Sequence, residues 1–319
     1  MKTKYFSVIA FTLAMLLPKF AYCDGENFLF YNATTQAGVV AKLNGTVFNT
    51  TQTFPNGAFS QWTHVSCTDS LHSLLFYNSA TGIWAEGVLD HGSFWSTASY
   101  TGLSPGWTNI LDAGLSYGKS YPLFYNAANG SGAIGYSPTI RSYPSGSFSL
   151  GWTNIVNGTS GLLFYDARTG AGAVAVQVDS GPTPPWGLHR IDKIKTVKSY
   201  APGSFSTSWT HVVSDGSNIL FYNSVNGRAS LGNLVPNVIS GTATTYQTYK
   251  SYPAGSFGTW THIVPAGHRF FFYNSYTGAG ALGQIVNNLF TTTAIYPPNT
   301  FSVGWSHIVA ASFDTPPLH

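Results

Sequence analysis

Charge is scarce in this chain. Only 8% of its 319 residues are Asp, Glu, Lys or Arg, against about a quarter in an ordinary soluble domain. There are two Glu, Glu26 and Glu86, and Lys and Arg together number 14, which does not suit a fold built of amphipathic helices. Low charge combined with 16% aromatic residues excludes disorder, which needs much charge and few aromatics. The net charge of +3 is spread along the chain. Its densest basic cluster, Lys193, Lys195 and Lys198, reads as a solvated strand face, so no nucleic-acid partner is expected.

Catalytic and metal motifs are also lacking. Hydrolysis of a glycosidic bond usually needs two carboxylates at a defined separation. Among the 11 acids no pair is expected within one strand, and several stand beside turns. No Ser-x-Asp-x-Gly-x-Thr-Trp box, Gly-x-Ser-x-Gly elbow or His-Glu-x-x-His helix occurs, and no Asp-x-Asp-x-Asp-Gly calcium loop. The expectation is a protein that is not an enzyme and holds no metal and no cofactor. Cysteine is limited to Cys23 and Cys67. Whether they pair depends on where the N-terminal segment is cut.

That segment has the marks of a signal peptide over residues 1–23. Lys2 and Lys4 precede a largely apolar run from Phe6 to Leu17, which Pro18 and Lys19 end. The run is shorter than the roughly 20 residues that span a bilayer. No other stretch approaches that length, so a secreted chain with no membrane span is expected. Cleavage after Cys23 leaves Cys67 alone; cleavage after Ala21 permits one disulfide.

What is present is a repeat. Phe-Tyr followed by Asn or Asp recurs at Tyr31, Tyr77, Tyr125, Tyr165, Tyr222 and Tyr273. Trp followed by Thr or Ser and then His or Asn recurs at Trp62, Trp107, Trp152, Trp209, Trp260 and Trp305. The two signatures alternate six times over residues 24–319, at spacings that bracket a propeller blade of about 40–50 residues. Each repeat reads as four strands. An apolar first strand ends on Asn or Asp, which can bond its own turn, and Gly follows at Gly82, Gly130, Gly170, Gly227 and Gly278. Only the first copy departs, with Gln36 there. The expected fold is all-β: one domain, a six-bladed β-propeller of four-stranded antiparallel blades. In the favoured phase each blade begins with its Trp strand, innermost. The Trp305–Val309 strand then pairs with Phe28–Tyr31 and closes the ring between the two ends of the chain.

The residue two after each Trp is His64, His211, His262 or His307, with Asn109 and Asn154 in the other copies. Asn replaces His as a hydrogen-bonding group but not as a usual metal ligand. A bond to the neighbouring blade's backbone is therefore expected.

The Leu-Phe-Tyr-Asn/Asp, Thr-Gly-x-Gly and Trp-Thr-x-Ile-Val pieces resemble the repeats of the Photorhabdus-type propeller lectins, fucose-binding β-propellers of bacteria. That family has seven blades and this chain six repeats. The resemblance implies glycans or glycoconjugates as multivalent partners, with fucose or a related sugar bound between blades. Aromatic faces stack on the C–H patches of a pyranose while amides and hydroxyls take its hydroxyls. The repeat Trp and Tyr residues are thus candidate sugar-binding residues, as are Trp84 and Trp186, which the repeat does not require. A secreted adhesin or protein-interaction propeller is the alternative and an extracellular glycoside hydrolase the third reading. Homo-oligomerisation is left open.

Overall fold

The computed structural model describes residues 27–68, 73–116, 119–135, 141–159, 161–178, 193–237 and 241–311. Its regular structure is all β, in six four-stranded antiparallel sheets arranged as a six-bladed propeller. Blade 1 joins the two ends of the chain: His307–Ala311, Asn27–Asn32, Ala37–Asn44 and Val47–Phe54, from the inside outward. Blade 2 is His64–Cys67, Ser73–Tyr77, Trp84–Asp90 and Ser93–Tyr100. Blade 3 is Asn109–Ser116, Lys119–Tyr125, Gly132–Ile134 and Arg141–Tyr143. Blade 4 is Asn154–Gly158, Gly161–Asp166, Ala171–Val178 and Lys193–Tyr200. Blade 5 is His211–Ser214, Ile219–Tyr222, Ala229–Pro236 and Ala243–Tyr252, and blade 6 is His262–Ala266, Arg269–Tyr273, Gly280–Val286 and Leu289–Tyr296.

The phase is the one read from the sequence. Phe28 pairs with Ala310, Phe30 with Ile308 and Tyr31 with His307, so main-chain bonds between the chain ends close the ring. Each Trp lies two residues ahead of its inner strand rather than within it. Inner strands of neighbouring blades lie against one another around the axis.

Burial follows position in the blade. Second strands such as Ile219–Tyr222 are buried along their whole length because a neighbouring blade covers each face. Outer strands such as Lys193–Tyr200 are mostly exposed. The core consists of six clusters, one in each seam between blades. No described helix is long and apolar enough to cross a membrane.

The turn after each second strand is built as its residues suggest. Asn78 Oδ1 accepts the amides of Ala80 and Thr81, and Asn274 Oδ1 those of Tyr276 and Thr277. The turn Gly then takes φ near +70°, for example +72° at Gly82 and +67° at Gly278. Gln36 holds the same conformation at φ +58°.

The His ring is a set of seam ties. Nε2 of His64, His211, His262 and His307 lies 3.0–3.2 Å from the carbonyls of Thr108, Thr261, Ser306 and Thr63, each in the link to the next blade. Asn109 makes the same bond to Thr153 O at 3.3 Å. Asn154 instead donates to Thr153 Oγ1. Burial pushes all four imidazoles below the ordinary 6.5 despite the carbonyl, which favours the proton. The unfolded chain therefore binds more protons in the window below about pH 6.5. Stability from these groups is fully present above that window and is lost as pH falls through it. Calorimetry at pH 7, 6 and 5 should show a falling Tm, and changing all four His to Asn should flatten that dependence. An equally steep fall in the Asn variant would remove these groups as its cause.

Cys67 is disulfide-bonded. Cys23, the other cysteine of the chain, lies outside the described residues.

Candidate functional site at the blade 3–blade 4 seam

Each repeat Tyr spans a seam. The hydroxyl of Tyr31 donates to Ser60 O at 2.8 Å and accepts the amide of Trp62 at 3.0 Å, both in the link to the next blade. Tyr77 and Tyr125 repeat this with Ser104 and Trp107 and with Ser149 and Trp152. Tyr222 does so with Gly258 and Trp260, while Tyr165 and Tyr273 donate to Ser206 O and Ser302 O. Burial raises all six phenols, that of Tyr165 to about 12. All six side chains are fully buried. The structure places these candidate sugar-binding residues inside the packing, with no ring face offered to a ligand.

The repeat Trp residues pack within the seams. Each ring rests on the Phe of its own blade at about 6 Å, as Trp152 does on Phe164 and Trp260 on Phe272. Trp62, Trp107, Trp152 and Trp209 are 6–8% exposed, and Trp260 and Trp305 are half-buried. Arg228 covers Trp209 at 5.0 Å. Trp84 is buried and stacks on Tyr100 at 4.4 Å, so it fills space locally. Trp186 lies outside the described residues.

Four seams are closed by the same five rings. Between blades 4 and 5, Tyr200 meets Phe205 at 5.1 Å, Phe205 meets Phe221 at 5.8 Å and Trp209 meets Phe221 at 5.9 Å. The fifth ring, Tyr246 on the outer strand of blade 5, is 5.5 Å from both Phe205 and Phe221. Phe290, Phe48 and Phe94 plug the seams of blades 5–6, 6–1 and 1–2 in the same way.

The blade 3–4 seam has four of the five rings. Tyr143–Phe148, Phe148–Phe164 and Trp152–Phe164 keep the spacing, at 5.1, 6.0 and 5.9 Å. The plug position holds Ile194, paired with Gln177 as Phe290 pairs with Ile285 and Phe48 with Leu43. A cavity of about 430 Å³ opens there, within the usual range for a small-ligand site. Aromatic and polar side chains share its lining, Phe148, Phe164 and Trp152 beside Asp166, Thr169 and Ser199.

Asp166 stands where the other copies have Asn. Its carboxylate accepts the Arg168 amide and the Thr169 hydroxyl, both at 2.9 Å, and is paired with the Arg168 guanidinium at 3.3 Å. Burial alone would raise its pKa, but these donors together hold it below the ordinary 3.8. The cavity wall therefore carries an anion at neutral pH that can accept a ligand hydroxyl.

Inspection of the repeat signatures missed this plug. The available signal is the residue six before the ring that ends each outer strand: Phe48, Phe94, Tyr246 and Phe290, but Ile194 in blade 4 and, outside the described residues, Ser137 in blade 3.

A second cavity of about 390 Å³ lies on the axis, lined by inner-strand residues such as Ile110, Ile155 and Ile308 together with Ser66, Asn157 and Asp215. Asp215 is turned to its own loop, where it accepts the amides of Ser217 and Asn218. Among the described residues no group of three or more His, Cys, Asp or Glu could hold a metal ion.

No family model and no curated protein sequence matches the chain. Solved structures do resemble it. A chain from Bacteroides uniformis, provisionally named a 6-phosphogluconolactonase, superposes with a TM-score of 0.52 at 11% identity, over 89% of this chain and 85% of its own. A provisionally named 6-phosphogluconolactonase from Bacteroides fragilis gives 0.50 at 11% identity, over 86% and 82%. A chain of a nidogen/laminin complex gives 0.51 at 9% identity, over 89% and 98%.

At these identities the likeness establishes the fold alone. It nevertheless corrects the expectation that the chain is not an enzyme. That expectation rested on the lack of a carboxylate pair and of known catalytic motifs, whereas Glu86 and Asp90 share the strand Trp84–Asp90 and two similar propellers carry lactonase names. Catalysis therefore belongs among the functions to be tested.

Proposed function

We propose that the chain is a secreted carbohydrate-binding protein that takes glycans at blade seams, a lectin of the Photorhabdus-type propeller kind. The blade 3–4 cavity carries this reading: Trp152, Tyr143 and Tyr200 supply aromatic surface beside Asp166, Thr169 and Ser199, the combination that pyranose recognition uses. Phe290 and Phe48 fill the seams of Trp260 and Trp305, but both Trp rings stay half-buried, and shallow sites on them beside the blade 3–4 cavity would give avidity toward a multivalent glycoconjugate without new contacts. Fucose or a related sugar is the ligand expected from the repeat resemblance. A glycan array, with competition by free monosaccharide, tests the reading. Binding that no free sugar displaces would overturn it.

The exposed apolar residues Leu150, Val225, Tyr276 and Val303 favour a second reading, a propeller that docks a protein. Sugar-independent capture of one defined partner would support it. Hydrolysis of 6-phosphogluconolactone, the substrate in the names of two similar propellers, belongs in the same test, and turnover there would replace the lectin reading.

Trp260→Ala should remove one site from the stoichiometry of glycan binding while leaving the other sites at wild-type affinity. Calorimetry on the folded variant measures this. Unchanged stoichiometry would assign Trp260 to packing alone. Truncation of a buried Trp typically costs about 3–5 kcal/mol, so folding is checked first by circular dichroism.

A further inference from the structure

We propose that the blade 3–4 cavity is a slot for an aromatic ring supplied by the ligand, and that the glycoside bound there carries an aromatic aglycone. This rests on reading that seam as a ligand site.

The argument comes from the sister seams. In four of them the chain places its own ring, Phe48, Phe94, Tyr246 or Phe290, against the Phe of the link and the Phe of the second strand. Centroid separations from the link Phe are 4.9–5.5 Å, the range of favourable aromatic pairs. At the blade 3–4 seam the same walls, Phe148 and Phe164, keep their separation at 6.0 Å, and Ile194 presents no ring to them. A planar aryl group entering the seam meets surfaces already spaced for it.

The floor of the slot also fits. In blades 2, 5 and 6 the residue at the bulge is Gly87, Gly232 or Gly283, and a Cβ there would run into the plug ring. Blade 1 has Ala41 at that bulge and still seats Phe48. Blade 4 has Ala175, so its floor is one that accepts a ring.

The two Phe rings favour an aryl group over a sugar. Hydroxyls of a pyranose set against Phe148 and Phe164 would lose water on the side facing the rings without gaining partners there, whereas an aryl ring gains aromatic contact. Asp166 and Thr169 also line the cavity, so the sugar hydroxyls can be met beside the ring slot. Both components of an aryl glycoside therefore find matching surface.

The test compares 4-methylphenol with the phenyl and methyl glycosides of the sugar that the array selects, by calorimetry and thermal shift on the full chain. Wild-type protein should bind 4-methylphenol once per chain. The phenyl glycoside should bind about tenfold or more tighter than the methyl glycoside, as burial of an aryl ring implies. Ile194→Phe should supply the missing ring, raise Tm and abolish binding of 4-methylphenol.

Binding that persists in Ile194→Phe, or no binding of 4-methylphenol to wild type at millimolar concentration, would overturn the proposal. If methyl and phenyl glycosides bind alike and 4-methylphenol does not bind, the lectin reading stands and the aryl slot falls. If 4-methylphenol binds and no glycan does, the reverse holds. Should Ile194→Phe fail to fold, Ile194→Ala enlarges the slot and should shift preference from 4-methylphenol toward 2-naphthol. No shift would count against the slot.

Discussion

Deleting residues 304–319 should abolish the fold of the entire chain, not of one blade. The deletion removes the inner strand His307–Ala311, whose partner Asn27–Asn32 lies at the other end of the sequence. It also removes Ile308 and Ala310 from the cluster shared by blades 1 and 6, and the His307 bond to Thr63 O. An opened ring exposes apolar faces on two blades, and each remaining blade relies on two neighbours for its core. The combined loss exceeds the roughly 5–15 kcal/mol by which a domain is usually stable. Circular dichroism and calorimetry should show no cooperative transition. A circular permutant that places residues 304–311 ahead of residue 27 through a short linker should restore it. A truncated chain that melts cooperatively near the wild-type Tm would show that the strand is dispensable.

Gly278→Val should destabilise the protein by about 2–6 kcal/mol. Gly278 sits at φ +67°, where a β-branched residue is strained by about 1–3 kcal/mol. An added Cβ would also stand 2.1 Å from Phe301 O. That oxygen is main chain, in the segment where Phe301 donates its amide to Gly278 O at 2.9 Å. Relief therefore means moving the link that carries Trp305, at an overpacking cost of about 1–3 kcal/mol. Chemical denaturation measures the sum. Gly57→Val is the control, since Gly57 has a similar φ of +78° but open space around its Cβ position. A smaller loss at Gly57 isolates the clash from the backbone strain, and equal losses would assign the whole effect to strain.

Much of the fold was legible because the signals that fix it are local and repeated. A run such as Ile219–Tyr222 is apolar at every position because both its faces are covered, and Asn274 carries its own turn within four residues. Six copies remove the ambiguity that a single short apolar run would leave. The alternation of His and Asn at the seam ties was informative for the same reason: both side chains can offer an N–H to a neighbouring carbonyl.

The site was less legible. A Tyr or Trp that recurs in every repeat satisfies both packing and ligand chemistry, and the residue type does not separate them. Tyr31 and its equivalents belong to packing because their hydroxyls are needed by the next link, a contact between residues 24–41 positions apart with no local sequence signature. The opening at blades 3–4 depends on Ile194, an aliphatic residue that no functional motif singles out.

The sequence by itself thus determined the repeat number, the all-β class, the turn chemistry and the closure of the ring between chain ends. These follow from periodicity and from backbone rules that act over a few residues. Only the tertiary structure decided which aromatic rings are spent on seams, that the blade 3–4 seam opens where Ile194 replaces a ring, and which carboxylate stands beside that opening. Those facts depend on which side chains meet across two blades, and the space left between them is set by the volume of each.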